Sequence, residues 1–345
     1  MHRILLIALL SLFIFPVLGQ ESLNYKSFFF RRDFGHYAFA DRYAPRTNIG
    51  FGAMFVANDY NVDPESRRVA MDLEPIIGAQ LPIYYARNQK YRWSITLPVS
   101  FSVWFDYTEK RTSPILNTDY RFAFLELNYS YKLKNCKLNN IGFRFTPFAH
   151  ESTHVGDELI MAKIADSIPY ARINVSYETY EFSIIINDTY NQKIKNHSIR
   201  LGAKFLWNPN KGYYTADSSE VGSGIEILSS TRWVEPFIQY QFQNPNGWLS
   251  NDRMMFIFSQ DFTLRVRYGY PFNYADNDGN IIIKEKGEAY QMCSNSLLGW
   301  KLLNAKQEVS NMGIFIKLYI GINPHGQFRN IPKYPWLGLN FIYDI

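Results

Sequence analysis

Two histidines, a serine and three acids fall within the nine residues His150-Glu151-Ser152-Thr153-His154-Val155-Gly156-Asp157-Glu158. On an extended strand, residues two apart share a face with Cα atoms about 6.6 Å apart. His150 can therefore reach the hydroxyl of Ser152 as a general base. An acid behind the imidazole would complete a nucleophile–base–acid set, supplied by Asp157, Glu158 or a residue of a neighbouring strand. The catalytic candidates are thus His150, Ser152, Asp157 and Glu158. The same passage offers a metal set, His150 and His154 with Asp157 close behind. A third reading involves no chemistry: a polar cluster that hydrogen-bonds to arginines such as Arg144 and Arg172 and holds a loop in place. No motif identifies a cofactor.

The elements that carry this passage follow from a period of two. From Met71 to Tyr85 the odd positions are Met71, Leu73, Pro75, Ile77, Ala79, Leu81, Ile83 and Tyr85, against Asp72, Glu74, Gly78 and Gln80. Tyr91 to Phe105 repeats the scheme against Arg92, Ser94, Thr96, Ser100 and Ser102. Further segments are Ala171 to Glu178, Ile199 to Phe205, Val234 to Phe242, Phe256 to Arg267 and Ile314 to Ile320. A helix cannot sustain this alternation, because its apolar positions recur every three to four residues. With 25 Tyr and 27 Phe but only 19% charged residues, the pattern suits strands with one face toward lipid and the other toward water. The fold expected is all-β, an antiparallel transmembrane β-barrel of about 12 to 14 strands.

The N-terminus reads as a signal peptide over 1–19, with a basic start at His2 and Arg3 and an apolar run from Ile4 to Leu18. That run is too short for a membrane helix. Residues 20–48 are aromatic and basic without clean alternation, either a periplasmic lead-in or a segment tucked into the barrel mouth. The barrel is assigned to 49–345. The two cysteines, Cys136 and Cys293, exclude a cysteine-built zinc site, and the spacing leaves open whether they pair. The net charge of +5 is scattered and gives no nucleic-acid footprint. The partner expected is a lipid bilayer, with a lipid or small solute as substrate and no nucleic acid.

Connections alternate in length. Arg87 to Gln89 is tight, whereas Thr108 to Thr118, Thr153 to Ser167, Pro271 to Lys286 and Pro324 to Lys333 are long and polar. Outer-membrane barrels keep short turns inside and long loops outside, so the His150 passage is placed at the extracellular end. The inward phase carries Arg144, Arg172, Arg200, Arg265 and Arg267, with Arg92, Lys204, Lys301 and Lys317. Facing them are Asp72, Glu74, Asp106, Glu126, Glu226, Glu235 and Asp261. The charges suit internal ion pairs or a narrow, anion-favouring pore, and so many large inward residues must share little space that a plugged lumen is expected. Aromatic girdles are expected at Tyr84, Tyr85, Trp93, Trp104, Trp207, Tyr268 and Tyr270.

The last segment, Leu337, Leu339, Phe341, Tyr343 and Ile345, resembles the C-terminal insertion strand of bacterial outer-membrane proteins, with Ile345 where those usually end in an aromatic. This implies the bacterial outer membrane as location. A His-x-Ser pair at the outer end of a strand, His150 and Ser152 here, resembles that of outer-membrane phospholipase A and lipid A deacylase barrels. The resemblance implies hydrolysis of a lipid acyl ester. Those enzymes hold the pair on the lipid-facing side. By strict alternation, Ile141, Phe143 and Phe145 mark the lipid phase, which sends Arg144, His150, Ser152 and His154 to the lumen. A bulge at Pro147 would swap the faces beyond it. The stretch Thr153 to Glu158 also resembles a Ser/Thr-His-x-Gly-Asp-Glu box in a family of exported bacterial proteins of unassigned role.

Overall fold

In a computed structural model of the chain, the described residues are 25–28, 37–57, 67–107, 115–134, 138–156, 173–188, 195–208, 215–216, 233–246, 249–251, 253–266, 272–275, 281–284, 290–303, 309–326 and 334–343. Twelve long strands form an antiparallel sheet. They are β1 (Thr47–Ala57), β2 (Arg67–Arg87), β3 (Tyr91–Asp106), β4 (Ile115–Lys132), β5 (Asn140–Val155) and β6 (Ser176–Ile186), then β7 (Asn196–Leu206), β8 (Val234–Asn244), β9 (Met254–Val266), β10 (Tyr290–Leu303), β11 (Val309–Ile320) and β12 (Trp336–Tyr343). Each pairs with its sequence neighbours, and β12 pairs with β1 from Trp336↔Met54 to Tyr343↔Thr47, so the sheet closes into a barrel. Closure leaves no long sheet edge. Residues 1–19, read from the sequence as a signal peptide, lie outside the described residues.

The alternation expected along the wall is present. On β9, Met255, Ile257, Ser259, Asp261, Thr263 and Arg265 are buried, while Phe262 and Leu264 are exposed. The outer face carries an apolar band that includes Ile77, Leu81, Leu201, Ile238, Leu298, Ile316, Leu339 and Phe341. Of the inward charges expected, Asp72, Glu74, Asp106, Glu126, Arg144, Arg200, Lys204, Glu235, Asp261, Arg265, Lys301 and Lys317 are all buried. Arg172, Arg267 and Glu226 lie outside the described residues.

The girdle is partly as expected. Tyr84 and Trp93 pair at 4.7 Å, and Tyr91 meets Tyr129 and Tyr131, all near the short-turn end. Trp104 and Tyr85 are corrections: they are 1% and 3% exposed. Trp104 sits in the inward phase with Ser100 and Ser102, where its Nε1–H donates to Asp72 Oδ2 at 3.1 Å. Tyr85 follows a register shift between Pro82 and Tyr84 that turns it inward. Tyr268 and Tyr270 lie outside the described residues. Near the long-loop end Val175, Tyr177 and Val266, expected outward, instead pack inward with Leu206 as one apolar cluster. The pattern of Ala171 to Glu178 pointed the other way. Tyr177 turns in because its hydroxyl donates to Glu151 Oε2 at 2.5 Å.

The barrel is filled from both ends. Residues 37–46 run inside it. Phe39 and Ala40 pack on Met255, Ile257, Leu297 and Phe315. The Phe39 amide donates to Gln241 and the Ala40 amide to Ser259, each at 2.9 Å, and Asn295 donates back to Ala40 O. Arg46 donates to the carbonyls of Tyr37, Ala38 and Phe39 and so ties the segment to itself. Within 20–48, residues 37–46 thus lie inside the barrel, Tyr25–Phe28 pairs with β2, and β1 begins at Thr47. From the long-loop end, residues 321–326 fold in over Trp104. Outside the wall, only short pairings are described: Tyr25–Phe28 with β2, Ile173–Asn174 with Thr215–Ala216, and a small hairpin of Phe272–Ala275 with Ile281–Lys284. Cys293 is buried with its thiol free, and Cys136 lies outside the described residues.

Candidate functional site

The local structure of β5 decides where the His150 passage faces. Below Thr146, Gly142, Arg144 and Thr146 are buried. The register with β6 then shifts between Thr146 and Ala149, and the register with β4 shifts around Leu125. Pro147 has no amide hydrogen, so the ladder loses little where it is interrupted. The bulge leaves the carbonyl of Pro147 off the ladder, and Trp207 Nε1–H caps it at 2.9 Å.

Beyond the bulge the faces are exchanged. Ala149 and Thr153 are buried, and Glu151 turns into the lumen, where it pairs with Arg121 at 3.5 Å and Lys204 at 3.6 Å. His150, Ser152 and His154 turn out. Their cross-strand neighbours agree: His150 lies opposite Phe122 and Glu178, and Ser152 opposite Tyr120 and Ser176. Phe122 and Tyr120 are exposed apolar side chains of the outer wall, and His154 meets the Tyr120 ring edge-on at 5.6 Å. The lumenal facing expected for His150, Ser152 and His154 is therefore overturned, for the reason a bulge at Pro147 provides.

The outer site has an acid in contact with its histidine. His150 Nδ1 lies 3.3 Å from Glu178 Oε1, with both side chains about one-third exposed at 38% and 32%. When Nδ1 carries the proton toward Glu178, Nε2 is left as the basic atom. Ser152 is two residues along the same face. Among the described residues no hydrogen bond joins His150 to Ser152, so the pair is aligned along the strand but not in contact. Asp157 and Glu158 lie outside the described residues. No group of three or more His, Cys, Asp or Glu side chains is placed to hold a metal among the described residues. Of the set His150, His154 and Asp157, the two histidines do share the outer face.

The inner site is denser. Glu74 takes Lys317 Nζ at 2.7 Å, His325 Nε2 at 3.1 Å and Arg42 Nη1 at 3.5 Å. Asp72 accepts from Trp336 Nε1 at 2.6 Å, Trp104 Nε1 and the Tyr334 hydroxyl at 3.1 Å. His325 lies flat on Trp104, ring centroids 4.5 Å apart. Burial, then the Asp72 and Glu74 charges, pushes the Tyr334 hydroxyl well above its ordinary pKa, so it stays a donor. Lower down, Arg144 meets Glu126 at 3.4 Å and Tyr37, and Arg200 meets Asp41 at 3.1 Å. The Tyr37 hydroxyl and Gln80 both donate to Glu126.

Sequence reasoning missed three partners. Glu178 was placed in the inward phase of its strand. His325 stood in a long polar loop, and Asp41 in a segment without alternation. The available signal for Glu178 was its position opposite His150 once the bulge is counted. For His325 and Asp41 no local pattern marks the contact.

The chain has likenesses among known proteins. To outer membrane phospholipase A from Escherichia coli it is 10% identical with a TM-score of 0.42, covering 87% of this chain and 94% of that one. To LpxR from Salmonella typhimurium the values are 9% and 0.32, over 86% and 100%. To the outer membrane protein OprD from Pseudomonas aeruginosa they are 9% and 0.30, over 90% and 97%. Dictomallein-5 of Dictyostelium discoideum is 27% identical over 215 residues, 55% of this chain. The chain spans about a third of the length of that relative, 33%. Residues 56–241, more than half of the chain and including the whole His150 to Glu158 passage, match the family described as protein of unknown function (DUF1207), and the chain belongs to that family.

Proposed function

We propose that this protein is a bacterial outer-membrane barrel that hydrolyses acyl esters of lipids at His150 and Ser152 on its outer wall. The observation that carries the reading is the bulge between Thr146 and Ala149. It turns a His-x-Ser pair onto the apolar face and sets Glu178 against the imidazole. A lipid acyl chain lying on the wall beside Phe122, Phe124 and Phe148 would bring its ester to the level of Ser152. In this mechanism His150 Nε2 takes the Ser152 proton as Oγ attacks the ester carbonyl. His150 then returns the proton to the departing alcohol, and water releases the fatty acid from the acyl-serine by the reverse relay. Glu178 holds the ring and stabilises its charged form.

A filled lumen supports this reading over that of a pore. Residues 37–46 and 321–326 occupy the space through which a solute would pass, and their contacts are charged, buried and numerous. The bilayer partner follows from the exposed apolar band. The test is hydrolysis of phospholipid and of lipid A by the purified full chain in detergent with calcium. Wild type is expected to release fatty acid. Ser152→Ala and His150→Ala each abolish release, with the double variant no worse than either, because the two act as one unit. Wild-type protein inert on both substrates, or a fully active Ser152→Ala, would refute the proposal.

A further inference from the structure

Inside the long-loop end lies a cavity of about 70 Å³, lined by Arg42, Tyr43, Ser102, Arg121, Tyr177 and Arg265 among others. Most cations of the barrel interior are matched. Arg42, Arg121, Arg144, Arg200, Lys204 and Lys317 each meet a carboxylate. Arg265 does not. It is 4% exposed, yet its Nε and Nη1 have no hydrogen-bond partner among the described residues. Its guanidinium carbon lies 5.6 Å from the Tyr43 ring, and the other groups that act on its charge are Tyr319, Cys293 and Tyr177, none of them a carboxylate. The Tyr43 ring is already shared with Arg121 at 5.4 Å and Lys204 at 2.9 Å. The carboxylates lining the cavity are engaged elsewhere. Asp119 accepts from the Gly326 amide at 3.0 Å and faces His325 at 3.5 Å. Glu151 is taken by Arg121, Lys204 and Tyr177.

A guanidinium is always charged, so a buried one with open donors calls for an anion. Nε and one Nη form a fork that matches two oxygens of a phosphate or carboxylate better than a spherical ion. The cavity holds several waters or one ion of phosphate size. We infer that it binds a small oxyanion, with Arg265 as the principal ligand and Arg42 as a second cation at its wall. Ser102 on the opposite wall sets the size limit. Ser152 and Tyr120 also border the cavity, but the anion site is argued from Arg265 and Arg42 and does not rest on the hydrolase reading.

The test uses the folded full chain in detergent and inorganic phosphate as probe, by titration calorimetry at constant ionic strength set with sodium chloride. Acetate is titrated in parallel. Saturable phosphate binding is expected, weakened at least tenfold in Arg265→Gln and in Ser102→Phe, which fills the cavity without removing a charge. Arg92→Gln, at the short-turn end, binds as wild type. If Arg265→Gln does not fold, Arg265→Lys replaces it, with a smaller loss because a point charge cannot fork. A further arm adds a water-soluble short-chain phosphatidic acid. Displacement of phosphate assigns the anion to a lipid headgroup, and no displacement assigns it to a free solute. Wild type that binds neither phosphate nor acetate overturns the inference, as does equal binding by Arg265→Gln or by Ser102→Phe.

Discussion

Among the described residues the barrel holds two histidine–glutamate pairs that differ in one respect, their surroundings. His325 and Glu74 sit inside, 1% and 2% exposed, with Trp104 flat on the ring and Lys317, Arg42 and Tyr334 on the carboxylate. His150 and Glu178 sit outside, each about one-third exposed, with a serine two residues away and no second cation on the acid. His325 Nδ1 has no hydrogen bond and only approaches Asp119 Oδ2 at 3.5 Å, but the pair is sealed from the surface, so its value is as a cross-link between the 321–326 strap and β2. A pair with one free ring nitrogen and an open side can move a proton to a substrate. The same two residue types therefore act as a tie in one place and as the core of a candidate site in the other.

The largest expected effect breaks the inner pair. Glu74→Ala leaves Lys317, His325 and Arg42 facing one another without their shared anion. Losing one partner of a buried ion pair costs about 3–5 kcal/mol. Urea unfolding in detergent should show that loss, with the strap at 321–326 cut first by protease. Ester hydrolysis per folded molecule should be unchanged. A Glu74→Ala protein as stable as wild type would show that the inner network is ornamental.

The matching change outside should do the reverse. Glu178→Gln keeps the size of the side chain and removes the charge that orients His150. Ion pairs as exposed as this one contribute less than about 1 kcal/mol to stability, so unfolding should hardly move. Hydrolysis should fall by about 10- to 100-fold, mainly in kcat. A stability loss with unchanged activity would make the outer pair a tie like the inner one.

The bulge offers a third way to sharpen the contrast. Single cysteines at Phe122, His150 and His154 should react with a lipid-soluble maleimide in membranes and poorly with a bulky aqueous one, if they face the bilayer. A cysteine at Ala149, which is 1% exposed, should resist both. The opposite pattern would return His150 to the lumen.

Most of the wall was legible in the sequence, because alternation is a local property and each strand carries its own copy. Arg144, Arg200 and Arg265 were placed inside on phase alone. What failed did so where phase is not conserved along a strand. One inserted residue exchanges every side chain beyond it, and only Pro147 hinted at such a point in β5. No comparable signal marks the shift at Leu125 in β4. Near the long-loop end Val175, Tyr177 and Val266 point inward, opposite to the phase that their apolar character suggested. The contents of the lumen were the least legible part. Asp41 and His325 meet partners more than a hundred residues away, and nothing in their immediate neighbours records the encounter.

The smallest effect concerns the inner segment and acid. Asp41 is buried, with Oδ1 accepting from the Tyr43 amide at 2.9 Å and Oδ2 from Arg200 at 3.1 Å. Burial alone would raise its pKa. Arg200 first, then Lys204 and a hydrogen bond from Gln239, outweigh that and hold it below the ordinary 3.8. A carboxylate depressed on folding adds stability that is present in full above its unfolded value. That contribution fades as pH falls through the folded one. The grip on residues 37–46 should therefore weaken only in strong acid, below about pH 4. A cysteine at Ala44 reports it, buried at neutral pH and reactive with an acid-stable disulfide reagent once the segment loosens. Asp41→Asn removes the titration. Its Ala44 cysteine should be slightly more reactive at neutral pH, because Arg200 keeps Gln239 but loses its anion, and nearly flat through the acid range. Identical acid profiles for the two proteins would show that other carboxylates, not Asp41, fasten the segment in the lumen.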